Sequence, residues 1–104
     1  MDFGRTLKAL RLDKKETLHQ TAMGTNIDMT LLSKFERGER LPTPEQTRRL
    51  AMYFDTDATR LAAEVTANKI IGEYGYSDAT FEALSMVMES FAEYRADFIE
   101  GRNG

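Results

Sequence analysis

The chain has 104 residues, 41% of them hydrophobic and 30% charged, with a net charge of −3. This size and composition are ordinary for one folded domain with an appended element. Because cysteine is absent, a disulfide framework and thiolate metal sites are excluded. No apolar run is long enough to span a membrane, and the N-terminal residues lack the apolar stretch of a signal peptide. We therefore expect a cytoplasmic protein.

The charge is distributed unevenly between the two halves of the chain. Residues 1–60 hold 11 Lys and Arg against 9 Asp and Glu, a net of +2. Residues 61–104 hold 3 against 8, a net of −5. Such an asymmetry indicates a nucleic-acid partner for the basic half, although an ordinary solvated surface would account for so small an excess.

The first predicted helix covers residues 2–13, where Phe3, Leu7 and Leu10 recur at helical spacing. A second helix begins at Thr17, because a glutamine three residues later completes a reciprocal capping box. Ala22, within this helix, is small enough to allow a close crossing with another helix.

A tight turn is predicted next, at Gly24 and Asn26, two residue types that tolerate the left-handed backbone that ends a helix. Asp28 can then cap a third helix, in which Leu32 and Phe35 lie on one face. The opposite face carries exposed side chains. Two short helices joined in this way commonly place the second helix in the DNA major groove.

Two more helices complete the first predicted domain, residues 1–64. Thr43 caps the fourth helix, Pro44 suits its first position, and Gln46 completes a second capping box. Asp57 can cap the fifth helix, which runs through Leu61.

A helical tail, residues 65–104, is predicted to follow as a dimerisation element. It consists of a short helical stretch at Ile70 and Ile71, a break that contains glycine and serine, and a long helix from Asp78. The fold class is therefore all-α. Along the long helix, apolar side chains form a stripe of about three heptads, made of Phe81, Leu84, Val87, Met88, Phe91, Tyr94 and Phe98. Either this stripe pairs two copies of the chain, which we favour, or it packs on the first domain; its parallel or antiparallel geometry stays open.

The chain carries a Ser-Lys-Phe-Glu-Arg-Gly-Glu-Arg run from Ser33 with Pro42 soon after it. With this run as the strongest part of the match, residues 3–64 resemble the lambda-repressor-like helix-turn-helix domains, the Cro/CI or XRE-type regulators. The flanking positions that match are Leu7, Leu10, Arg11, Thr17, Leu18, Ala22, Leu32, Leu50 and Ala51. The resemblance implies a compact five-helix domain whose third helix lies in the major groove, usually as a homodimer on a palindromic operator.

The resemblance also implies a set of DNA-contacting residues. Base contacts fall at the start of the third helix, on Met29, Thr30, Ser33 and Lys34. Lys34 can donate to guanine or to a phosphate, whereas Met29 can contribute only apolar contact. Phosphate contacts are expected from groups that flank this helix, namely Lys14, Lys15, Thr17, Arg37, Arg40 and Thr43. Leu18 stands where many relatives carry glutamine, and it cannot make that polar contact.

Arg11 and Glu36 match a pair that forms a structural salt bridge in such domains, and we assign them that role. An enzyme is not expected, because the chain has one histidine, no cysteine and no Gly-rich phosphate loop. No cofactor and no metal are expected either.

The resemblance favours a dimeric repressor of double-stranded operator DNA, associated with the nucleoid in the cytoplasm. An alternative is an antitoxin that binds a toxin through the acidic C-terminal helix and represses its own operon. A third possibility is a protein adaptor that has lost DNA binding. The operator, the regulated gene, the sign of regulation and a restriction–modification role cannot be read from the residues.

Overall fold

The structure, a computed structural model, describes the backbone of residues 2–103 and the side chains of residues 2–97. Within that range the chain is all-α, with no strand, as the sequence predicts. The helices are α1 (Phe3–Asp13), α2 (Leu18–Thr25), α3 (Met29–Glu36), α4 (Pro44–Tyr53), α5 (Ala58–Tyr74) and α6 (Asp78–Asn103). Backbone contacts divide them into two units, Met1–Ile70 and Ile71–Gly104.

The predicted helix starts are confirmed by their caps. Thr17 and Thr43 each accept a hydrogen bond from the glutamine amide three residues on, and that glutamine side chain accepts from the threonine amide. Asp28 accepts from two amides in the first turn of α3. Asp57 does the same for α5. Each cap satisfies amides that have no partner inside the helix.

Three helices end in Schellman motifs, in which the residue after the C-cap adopts a left-handed conformation. These residues are Lys15 after α1, Gly38 after α3 and Asp55 after α4, with φ between 51° and 76°. After α3, the Gly38 amide donates to Phe35 and the Glu39 amide donates to Lys34. The motif therefore turns the chain sharply at the C-terminal end of α3.

The core of the first unit is built from one apolar face of each of its five helices. The fully buried side chains of this core include Phe3, Leu7, Leu32, Phe35, Leu50 and Leu61. α1 lies close to the end of α3, because a Cβ on Gly4 would meet the carbonyl oxygens of Phe35 and Glu36 at 2.7–2.8 Å. Glycine at this position permits the close approach.

Gly24 has a different role from the one that the sequence predicts. It lies inside α2 rather than in the turn, and the left-handed residue there is Asn26. A Cβ on Gly24 would lie 2.2 Å from the ring carbon Cε1 of Tyr53. The glycine therefore makes room for an aromatic side chain from α4.

The fifth predicted helix and the short stretch at Ile70 and Ile71 form one helix, since α5 runs from Ala58 to Tyr74 without a break. Two hydrogen bonds join the middle of this helix to α1: the Phe3 amide donates to Asn68 at 2.8 Å, and the Thr6 hydroxyl donates to Glu64 at 2.8 Å. These contacts stabilise α5 past residue 64, and the first unit extends to Ile70.

Candidate nucleic-acid interface

The orientation of α3 is fixed by apolar side chains on both sides of its cap. Ile27 precedes the cap and Leu32 lies in the second turn; both are buried, as the two partners of a hydrophobic staple are. Phe35, one turn further on, is also buried. With this face held in the core, the opposite face of α3 is presented to solvent.

The presented face carries the residues predicted to read bases. Met29 and Thr30 are exposed in the first turn, and Met29 retains 46% of its accessible surface. Ser33 and Lys34 are half-buried in the next turn. The four side chains offer one cation, two hydroxyls and one thioether, a set that can meet a guanine edge, a phosphate or a thymine methyl.

Beside this face, Arg37 already has partners within the chain. Its guanidinium donates to both carboxylate oxygens of Glu39 at 3.0 Å and to the hydroxyl of Ser33. The guanidinium holds the pKa of the Glu39 carboxyl below its usual range, and the positive charge of Lys34 acts in the same direction. A negative charge therefore lies next to two of the predicted contacts, and Arg37 must exchange partners to reach a phosphate.

The remaining predicted phosphate contacts differ in whether their side chains already have a partner within the chain. Arg40 and Lys15 are exposed and have no ion-pair partner in the described part of the chain. Lys14 is held instead: its ammonium lies 3.6 Å above the ring centroid of Tyr53 and 3.5 Å from a carboxylate oxygen of Glu16. Such a cation–π contact competes with binding to a phosphate.

Thr17 and Thr43 stand at the N-termini of α2 and α4 as exposed N-cap residues. Their hydroxyl oxygens accept from helix amides, so the hydroxyl hydrogen is the group that can still donate to a phosphate. Each also lies at a positive helix end, which favours an anion.

Arg11 and Glu36 form a bidentate ion pair, with Nε–Oε2 and Nη2–Oε1 distances of 2.7 and 2.9 Å. The two side chains are 12% and 9% exposed, so the pair is largely buried. A third hydrogen bond, 2.9 Å long, runs from Arg11 to the carbonyl of Glu16. The hydrogen bonds that Arg11 donates to Glu36 raise the pKa of Arg11 above its ordinary value. The pair joins α1 to the C-terminal end of α3 and leaves neither side chain free to contact DNA.

Two residues near the interface were not anticipated from the sequence. Glu39 lies two positions from Arg37, a spacing at which an ion pair could have been considered. Arg49 donates to the carbonyl of Asn26 at 3.2 Å and lies 3.5 Å from Glu45, so it joins α4 to the turn between α2 and α3. Because 23 residues separate Arg49 from Asn26, no local pattern indicates that contact.

The second unit presents the predicted dimerisation stripe. Phe81 and Met88 are 73% and 70% exposed in the single chain. The other exposed members are Leu84, Val87, Phe91 and Tyr94. The side chain of Phe98 lies outside the described residues. Since the described part of this unit contains α6 and the end of α5, the stripe has no second long helix within its own unit.

The described residues contain no group of histidine, cysteine, aspartate and glutamate arranged to hold a metal ion. In the same part of the chain, no helix is both long and apolar enough to cross a membrane. Comparison with known families gives a match at residues 2–63 to a model described as a helix-turn-helix domain, which is consistent with the resemblance drawn from the sequence. Comparisons with curated proteins and with solved structures gave no match.

Proposed function

The chain belongs to the helix-turn-helix domain family, a family of DNA-binding domains, and we propose that it is a sequence-specific transcriptional regulator of the Cro/CI or XRE type. In this proposal it acts as a dimeric repressor. Two α3 helices enter successive major grooves, about 34–36 Å apart, on a palindromic operator.

The observation that carries the proposal is the geometry of α3. Its inner face is anchored in the core by Leu32 and Phe35, and its outer face begins with the exposed Met29 and Thr30. A rigidly held helix with exposed N-terminal side chains fits the way in which recognition helices contact base edges.

Within this proposal the predicted residues divide by chemistry. Lys34 reads a guanine edge, and Thr30 and Met29 contact a thymine methyl or a neighbouring base. Arg40 binds the phosphate backbone, since it is exposed and free of ion pairs in the described part of the chain. Phosphate contacts position the protein but carry no sequence information.

The exposed stripe of α6 supports pairing of two chains. A contiguous apolar patch on a small protein generally marks an interaction surface. Such pairing provides the two-fold symmetry that a palindromic operator requires.

The same stripe also supports the alternative role of an antitoxin, because a toxin is another protein that could cover it. The acidic excess of the chain lies in this part, with a net of −5 over residues 61–104 against +2 over residues 1–60. In that case the purified chain would be a monomer, and it would form a complex with the toxin when the toxin is added. A dimer formed by the chain alone favours the repressor.

The test is selection of bound DNA from a random pool by the purified full chain. Enrichment of a palindromic sequence supports the proposal, whereas recovery of random sequence contradicts it. Lys34→Ala is expected to change the selected sequence. Arg40→Ala should weaken binding similarly on all sequences and reduce the salt dependence by about one phosphate contact. If both variants lost affinity uniformly, Lys34 would not read bases.

A second test addresses the tail. A chain truncated after residue 76 removes α6 and should be monomeric by light scattering. A dimer that survives this truncation would show that the stripe is not the dimerisation surface.

A further inference from the structure

The stripe of α6 follows a heptad pattern with one charged exception. Phe81 and Met88 occupy the first position of successive heptads, and Leu84 and Phe91 occupy the fourth. Seven residues after Met88, the same seam position holds Arg95, which is exposed. A charged residue at a seam position restricts how two helices can align.

The acidic residues of α6 do not occupy this seam. Glu82 and Glu89 each follow a first-position residue directly, and Glu93 lies two positions after Phe91, so all three point away from a partner helix. Asp78, in the first turn, flanks the seam instead. The seam is therefore apolar in its middle, with a positive charge towards one end and a negative charge at the other.

This charge arrangement is self-complementary when the helices run in opposite directions. In a parallel dimer, first-position residues face their own copies, so two Arg95 guanidinium groups would meet. In an antiparallel dimer, first positions face fourth positions. One alignment then sets Phe81 against Phe91 and Leu84 against Met88, and brings Arg95 next to Asp78 of the second copy.

Resting on the proposed dimeric regulator, we propose that α6 pairs with a second copy of this chain in an antiparallel alignment, in which Phe81 faces Phe91 and Arg95 pairs with Asp78. The four described apolar seam residues then pack against one another. Both charged side chains flank these four residues and are exposed in the single chain, so they avoid the cost of full burial.

Disulfide trapping tests the direction and the alignment, because the chain has no cysteine of its own. Phe81→Cys alone should form no disulfide, since the two position-81 residues would lie about 15 Å apart along the helices, whereas a disulfide needs Cα atoms about 4.4–6.8 Å apart. Phe81→Cys mixed with Phe91→Cys should form a disulfide between the two different chains.

Each other outcome has a definite meaning. A disulfide in Phe81→Cys alone would show parallel pairing and overturn the inference. A dimer that forms no disulfide in either experiment would overturn this alignment. A full-length chain that is monomeric at every concentration would instead contradict the proposed dimer itself, so the two failures can be told apart.

A charge exchange tests the pairing of Arg95 and Asp78. Arg95→Glu should raise the dimer dissociation constant by about two- to fivefold or more, as expected for an exposed ion pair replaced by repulsion. Adding Asp78→Lys to that variant should restore it. If the second substitution weakened the dimer further, the two residues would not be partners.

Discussion

The ion pair between Arg11 and Glu36 gives the most direct test of the energetics of the first unit. Arg11→Met keeps the aliphatic stem but leaves the Glu36 carboxylate without its two charged hydrogen bonds, at a site where it is 9% exposed. Stranding one member of a largely buried pair costs about 3–5 kcal/mol. Since a domain of this size is stable by about 5–15 kcal/mol, we expect a loss of about a fifth or more of the total.

The assay is urea unfolding at neutral pH. With a slope of about 1–3 kcal/mol/M, the midpoint should fall by about 1 M or more. The double variant Arg11→Met with Glu36→Leu replaces both charges by apolar groups, and most of the lost stability should return, because neither partner is stranded.

The exposed pair of Arg37 and Glu39 provides the matched control. It has the same bidentate geometry, but both side chains are 53% exposed. Arg37→Met should therefore leave the midpoint nearly unchanged. The reasoning would be refuted if Arg11→Met cost less than about 1 kcal/mol, or if the losses from the two substitutions at the buried pair were additive.

Two further predictions concern the cluster around Tyr53. Gly24→Ala should destabilise the protein by about 1–3 kcal/mol in the same unfolding assay, because its Cβ would displace the Tyr53 ring; Gly72→Ala, where nothing lies within 4 Å, should stabilise by about 0.5–1 kcal/mol. A loss of similar size at both positions would contradict this. The Tyr53 hydroxyl donates to Glu16 at 2.5 and 2.8 Å and, with smaller contributions from Thr21 and Lys14, lowers the pKa of that carboxyl. A carboxyl whose folded-state pKa is lowered stabilises the fold above its unfolded pKa, near 4.3, and loses that contribution as the pH falls through the folded value. Tyr53→Phe should therefore lose less stability than the parent between pH 7 and pH 3, and an equal loss in both would show that the bond is not the source.

The helix starts were predictable because a cap is a local device. Thr17 with Gln20, and Thr43 with Gln46, satisfy helix amides within three residues of one another. The helix ends were less predictable. Lys15 and Asp55 adopt left-handed conformations that glycine would ordinarily signal, so the residue type does not mark these two turns.

The predicted interface shows the same division. The pattern of Leu32 and Phe35 determines which face of α3 is buried and hence which residues are presented. The pattern does not determine which side chains these residues contact. Arg37 donates hydrogen bonds to Ser33 and to Glu39, which lies in the turn after α3. Spacing along a helix indicates which side chains share a face but not which of them are already paired.

The amino-acid sequence by itself determined the all-α class, the caps and the apolar faces, because each depends on residues a few positions apart. It also indicated the helix-turn-helix family, through a resemblance that extends over residues 3–64. The tertiary structure decided the features that depend on contacts between residues far apart in the sequence. Asn68 reaches the start of α1 across 65 positions and extends α5 beyond its predicted end. The ring of Tyr53 leaves no room for a Cβ at Gly24, which lies 29 residues earlier in the chain. Contacts of this kind are made when helices pack together, and no periodicity within a single helix encodes them.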